Sequence, residues 1–288
     1  MRQLIQNTRV TLEMIKWEHS IFALPFALTG AVLAANGWPS LRTIALIVLC
    51  MVAARTAAMA FNRLVDAEID AANPRTKMRA LPAGVLRRGF VAAFVALSIL
   101  VFLVGAVLLN RLCLLLSPIA LLVILGYSFA KRFTRWSHLI LGLALGIAPS
   151  AAWIAVRGSL DPRILVLTLA VLLWVAGFDV LYACQDFEHD RSAGLNSIPQ
   201  AFGMRAAFWI ARGLHGLMLL ALVSLVFLFG LGLLAMAGIA ITAALLLYEH
   251  SIVSPGDLRR LNAAFFTLNG IISVLFFGFI AADILRRH

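Results

Sequence analysis

Charge is scarce in this chain, and negative charge is scarcest: 13 Asp and Glu stand against 24 Lys and Arg in 288 residues. A water-soluble domain of that length needs a far more polar surface, so the soluble globular classes are excluded. Cysteine is equally sparse. Cys50, Cys113 and Cys184 lie in three separate apolar segments with no paired spacing, which excludes a disulfide framework and a zinc site. No segment alternates apolar and polar residues with period two, so a transmembrane β-barrel is excluded as well. The six histidines, His19, His138, His189, His215, His250 and His288, show no mutual ligand spacing and read as interfacial or packing residues. Glu13, Lys16, Glu18 and His19 precede the first apolar run without a small-residue cleavage site, so no removable signal peptide is expected.

What is present in abundance is apolar length. The chain is 62% hydrophobic with a mean hydropathy of +0.98. Stretches long enough to cross a bilayer occur near 20–36, 41–61, 89–109, 112–130, 138–156, 163–184, 206–229, 231–249 and 263–284. The pattern predicts an all-α integral membrane protein, a single domain over 1–288 with nine transmembrane helices around a central cavity. Its weakest divisions are at Asn110-Arg111 and around Gly230-Leu231-Gly232. With the N-terminus inside, fifteen lysines and arginines fall on inside segments and six on the opposite side. The positive-inside rule therefore sets the orientation, and the basic excess marks a membrane rather than a nucleic-acid partner.

The few acids are placed with regularity. Asn62, Asp66 and Asp70 recur every four residues at the end of the second span; Asp179, Asp186 and Asp190 recur at two-turn and one-turn steps at the end of the sixth. Side chains at those spacings share a helix face, so each set forms a stripe of oxygen donors opening on the cytoplasmic side. Stacked carboxylates repel one another unless cations sit among them, which points to a hard divalent ion, Mg²⁺, and to a pyrophosphate-bearing substrate sharing its coordination shell. A long polar loop follows each stripe, 73–84 and 191–203, and the two are expected to cap the cytoplasmic mouth. The four-helix offset between the stripes is consistent with a duplicated four-helix unit carrying a ninth helix. Arg55, seven residues before Asn62 on the same face and about 10 Å deeper, is a candidate ligand for a diphosphate or an aromatic carboxylate, or else the ion-pair partner of Asp179 at matching depth.

Four signatures in order carry a family resemblance: Asn62-Arg63-Leu64-Val65-Asp66-Ala67-Glu68-Ile69-Asp70, Arg75-Thr76 with Arg79-Ala80-Leu81-Pro82-Ala83-Gly84, Tyr127-Ser128-Phe129-Ala130-Lys131, and Asp186-Phe187-Glu188-His189-Asp190. Together with Lys16-Trp17-Glu18-His19 they resemble the UbiA superfamily of intramembrane prenyltransferases, in a bacterial branch similar to 4-hydroxybenzoate polyprenyltransferases. The resemblance implies Mg²⁺ held by Asn62, Asp66, Asp70, Asp186 and Asp190. It further implies Arg75, Arg79, Lys131 and Tyr127 as substrate ligands beside Arg55, and Asp179 and Tyr182 orienting the acceptor. The family pattern reads Asp where this chain has Arg63, a residue expected to point about 100° away from Asn62.

On that basis the expected activity is Mg²⁺-dependent transfer of a polyprenyl group from its diphosphate to an aromatic acid in quinone biosynthesis. The acceptor is 4-hydroxybenzoate or, alternatively, a naphthoate-type acid of menaquinone biosynthesis. The expected location is a bacterial inner membrane, multi-pass, with the active-site mouth cytoplasmic. The competing class is a cation-coupled transporter, which intramembrane acids and an internal repeat also suit. Depth separates them: transporter sites lie near the midplane, whereas these carboxylates gather at one mouth.

Overall fold

The computed structural model describes residues 10, 11, 14, 20–261 and 267–287, and all regular structure in it is helical. The Lys16-Trp17-Glu18-His19 motif, the basic residues Arg2, Arg9 and Lys16, and His288 lie outside the described residues. The long helices are α1 (Ser20–Ala35), α2 (Leu41–Val65), α4 (Arg88–Leu109), α5 (Arg111–Gly126), α6 (Ser137–Arg157), α7 (Leu165–Ala183), α10 (Met204–Leu228), α11 (Leu233–Ile252) and α12 (Asn269–Leu285). Three short ones cap one end: α3 (Ala67–Ala72), α8 (Phe187–Ser192) and α9 (Ile198–Phe202). Seven of the described helical segments are long and apolar enough to cross a membrane, and the first and last apolar helices are shorter.

Both difficult divisions have a local cause. Asn110 is fully extended (φ −166, ψ 169), ends α4, and caps α5 by accepting from the Cys113 N–H at 2.9 Å. Between α10 and α11 the chain turns at Gly230, whose φ of +58 favours a residue without Cβ. Proline is carried inside three helices, Pro25, Pro118 and Pro149. Helices in lipid tolerate the lost N–H donor when neighbours re-satisfy the freed groups.

Lipid offers no hydrophobic drive between helices, so close contact depends on small residues. A Cβ on Gly30 of α1 would lie 2.3 Å from the Pro149 carbonyl oxygen of α6, and one on Gly142 of α6 would lie 2.4 Å from the Leu172 carbonyl oxygen of α7. The apolar core, with Phe26, Trp153, Trp174, Phe178, Met218 and Phe276, is built from α1, α6, α7, α10, α11 and α12. On the other side of α6 and α7 the helices stand apart and enclose a cavity of about 550 Å³. Its described lining comes from α1, α2, α4, α5, α6 and α7 and the motif ends; none of the described residues of α10, α11 or α12 contributes. The last three helices pack behind α7 and α1 as the core.

Candidate active site

Both acidic motifs sit at the same end of the cavity, and neither is a continuous helical stripe. α2 stops at Val65, Asp66 adopts φ −94 and ψ 7, and α3 restarts beyond it. α7 stops at Ala183, a 3₁₀ turn covers Cys184–Asp186, Asp186 adopts φ −100 and ψ 9, and α8 restarts beyond it. The two motifs therefore share one backbone device: an aspartate in the bridge region, followed by a six-residue helix carrying the next aspartate.

The cations among these carboxylates are arginines. Asp66 accepts from the Asn62 amide at 2.8 Å and lies 3.5 Å from Arg132, which also donates to the Val65 carbonyl at 2.6 Å. Asp70 takes two bonds from one terminal nitrogen of Arg79, at 2.6 and 2.8 Å, and lies 3.5 Å from Arg63. Asp186 accepts from Asn73 at 3.2 Å and from Arg75 Nε at 2.8 Å, with a terminal nitrogen of Arg75 on its other oxygen. A further Arg75 nitrogen donates to the Tyr182 hydroxyl at 3.3 Å, and the guanidinium lies over that ring. Burial, reinforced by the neighbouring Asp70 charge, holds the Asp66 carboxyl above the ordinary carboxylate range, against the opposing pull of Lys131 and Arg132. Lys131 bonds neither motif directly, yet its field reaches Asp66, Asp186 and Asp190. It lies between the two halves of the site.

The loops are fastened down. Asn73 accepts from the Arg75 N–H at 2.9 Å in a side-chain-closed turn, and Thr76 bonds the Asp70 carbonyl at 3.0 Å. Leu81 and Leu86 anchor the first loop in a buried cluster with Ala60 and Val91. In the second loop the Asn196 N–H donates to the Lys131 carbonyl at 2.8 Å, and Ser197 caps α9.

All twelve residues singled out from the sequence line the cavity: Arg55, Asn62, Asp66, Asp70, Arg75, Arg79, Tyr127, Lys131, Asp179, Tyr182, Asp186 and Asp190. Several readings need correction. Arg63 is not apart from the acidic motif: it lies 3.5 Å from Asp70 and lines the cavity. Arg55 and Asp179 are not an ion pair, because Asp179 is held by His138 at 2.7 Å while Arg55 Nε is buried without a hydrogen-bond partner. His138 is therefore no mere packing residue, and His189 also lines the cavity, with its Nε2 buried and unpartnered. No local pattern marks His138, which meets its partner from another helix, nor Asn73 and Arg132.

Among the described residues no three acidic, His or Cys side chains converge on one point. The donor set still fits a hard divalent cation. Its donors are carboxylate and amide oxygens throughout, and one oxygen of the buried Asp190 has no hydrogen-bond partner.

With this geometry in place, residues 23–271 match the model of the UbiA prenyltransferase family. The chain is similar to 4-hydroxybenzoate octaprenyltransferase of Vibrio cholerae, 34% identical over 239 residues, which covers 81% of this chain and 82% of that protein. It is 32% identical over 253 residues to 4-hydroxybenzoate octaprenyltransferase of Alkalilimnicola ehrlichii, covering 87% and 85%. In structure it resembles a UbiA homolog from Aeropyrum pernix K1 in its apo form, with a TM-score of 0.84 at 34% identity over 92% of this chain and 98% of the other. It shares its fold with a UbiA homolog from Archaeoglobus fulgidus bound to DMAPP and Mg²⁺, at TM-score 0.76 and 21% identity over 95% and 98%.

Proposed function

The chain belongs to the UbiA prenyltransferase family, and on that premise we propose that it moves a polyprenyl group from its diphosphate to 4-hydroxybenzoate within the membrane. The observation that carries this is the arrangement of the cavity: two acidic motifs and five basic side chains, Arg63, Arg75, Arg79, Lys131 and Arg132, at one mouth, and an apolar chamber beneath with one arginine at depth. The excess of basic residues on that side supports a mouth facing the cytoplasm, in a bacterial inner membrane.

Asn62, Asp66, Asp70, Asp186 and Asp190 would hold Mg²⁺, which when bound neutralises the diphosphate and makes it a better leaving group. Arg75, Arg79 and Lys131 supply donors to the diphosphate oxygens as the carbon–oxygen bond breaks and charge builds on the departing group. The allylic carbon then carries positive charge among ring faces; Tyr127, Phe178 and Tyr182 line that part of the cavity. Val52, Leu116 and Ile119 line the cavity and are exposed, and the isoprenoid tail leaves past them sideways into lipid. Arg55 anchors the acceptor's carboxylate and Asp179 with Tyr182 orients its hydroxyl. The ring carbon beside that hydroxyl attacks, the carbon–carbon bond forms, and the ring proton leaves to a carboxylate or to the released diphosphate. Loops 73–84 and 191–203 cover the mouth and keep water from the cation.

The test is direct: purified protein with Mg²⁺, a prenyl diphosphate and a panel of aromatic acids, with products read by mass. Prenylated 4-hydroxybenzoate is expected. Product only from a naphthoate-type acid would move the assignment to menaquinone synthesis, and no product from any acid would overturn it.

A further inference from the structure

His138 lies at the start of α6 and is completely buried. Its ring touches two other elements. Nδ1 is 2.7 Å from Asp179 Oδ2 on α7, and the Ile198 N–H at the start of α9 donates to Nε2 at 3.2 Å. A backbone amide can only donate, so Nε2 must present its lone pair, and the ring proton stands on Nδ1, where it donates to Asp179. The bond engages one Asp179 oxygen, and the residue lines the cavity. Ile198 follows Asn196, whose N–H bonds the Lys131 carbonyl. One tripeptide therefore touches the diphosphate end of the cavity and sets the tautomer of the histidine at its acceptor end.

Resting on the reading of Asp179 as the group that orients the acceptor, we propose that His138 is its positioning residue, fixed as the Nδ1–H tautomer by the capping segment 196–198. A bare aspartate rotates about its Cβ–Cγ bond with little resistance. Held by the imidazole, it keeps one oxygen turned to the same point of the cavity, and the cost of ordering it is met before the acceptor binds.

Two experiments decide it. In wild-type protein labelled with ¹⁵N-histidine, the His138 signals, identified by their loss in His138→Gln, should show a protonated Nδ1 and a bare Nε2. The opposite tautomer overturns the proposal whether or not any acid is prenylated, and so separates its failure from failure of the functional reading. In steady-state kinetics, His138→Ala should lower kcat/KM for the aromatic acid about 10- to 100-fold, the scale of one charge-assisted hydrogen bond, with KM for the prenyl diphosphate unchanged. His138→Asn, whose amide N–H can stand in for Nδ1–H, should recover several-fold of that loss. Adding His138→Ala to Asp179→Asn should cost nothing more. Equal losses on both substrates, or full additivity with Asp179→Asn, would show a structural role only.

Discussion

Arg75 and Asp186 are joined across the site: the arginine belongs to the loop after the first acidic motif, the aspartate to the second motif, and Nε meets Oδ1 at 2.8 Å while a terminal nitrogen meets Oδ2. The guanidinium thus occupies carboxylate oxygens that a divalent cation would also need. Two consequences follow for Arg75→Ala. The KM for prenyl diphosphate should rise about tenfold or more, since a charge-assisted contact to the diphosphate is lost. The Mg²⁺ concentration for half-maximal rate should fall, because Asp186 is no longer shared. A Mg²⁺ titration of the variant checks both; an unchanged Mg²⁺ midpoint would mean that arginine and metal do not compete.

Asp66→Asn or Asp190→Asn should abolish transfer and leave the protein folded in detergent, because each removes one metal-binding carboxylate without creating a cavity. Asp190 is the sharper case, since one of its oxygens is buried without a partner and awaits a ligand. Chelation with EDTA should stop the wild-type enzyme as completely. Turnover by both variants at saturating Mg²⁺, or activity that survives chelation, would sink the metal assignment.

The helices, and the gathering of the candidate residues around one cavity, were legible in the sequence because each rests on a local signal. Apolar length marks the spans, and Asn110 and Gly230 mark the tight turns between them. The regular spacing of Asn62, Asp66 and Asp70 gathers donors at one helix end. What escaped depends on neighbours far along the chain. The reach of Arg75 to Asp186, of Asn73 to the same carboxylate and of His138 to Asp179 is set by how α6, α7 and the loops pack, and no spacing within one helix encodes it. The break at Asp66 was hidden for another reason: an aspartate in the bridge region leaves the four-residue rhythm unchanged, and its N–H still bonds the Asn62 carbonyl at 2.9 Å.

Helix contact through glycine gives a stability test away from the chemistry. In Gly142→Ala the new Cβ would meet the Leu172 carbonyl oxygen at 2.4 Å, and in Gly30→Ala the Pro149 carbonyl oxygen at 2.3 Å; backbone in a packed helix cannot move aside as a side chain does. Each change should cost roughly 1–3 kcal/mol, as overpacked cores do, read as a lower Tm in detergent. Gly213→Ala, with nothing within 4 Å of its Cβ position, is the control and should be neutral or slightly stabilising. Equal Tm values for all three would show that α1, α6 and α7 are not held this closely.

Arg55 gives the last test, because no described residue pairs with its charge. It lies two turns deeper than Asn62 on α2 and lines the cavity, and the aspartate at its depth, Asp179, is engaged by His138 instead. A charged side chain held within the membrane is costly unless something shares the cavity with it, and among the described residues none pairs with Arg55. If that ligand is the acceptor's carboxylate, Arg55→Ala should raise the KM for the aromatic acid by about tenfold or more and barely change the KM for the prenyl diphosphate, since only one substrate loses a charge-assisted contact. A diphosphate ligand would give the reverse. Esterifying the acid supplies an independent check: wild type should lose its preference for the free acid over the methyl ester once Arg55 is removed. Arg55→Lys should fall between, because an ammonium keeps the charge but not the planar pair of donors. An unchanged acid-to-ester preference in Arg55→Ala would place the carboxylate elsewhere in the cavity.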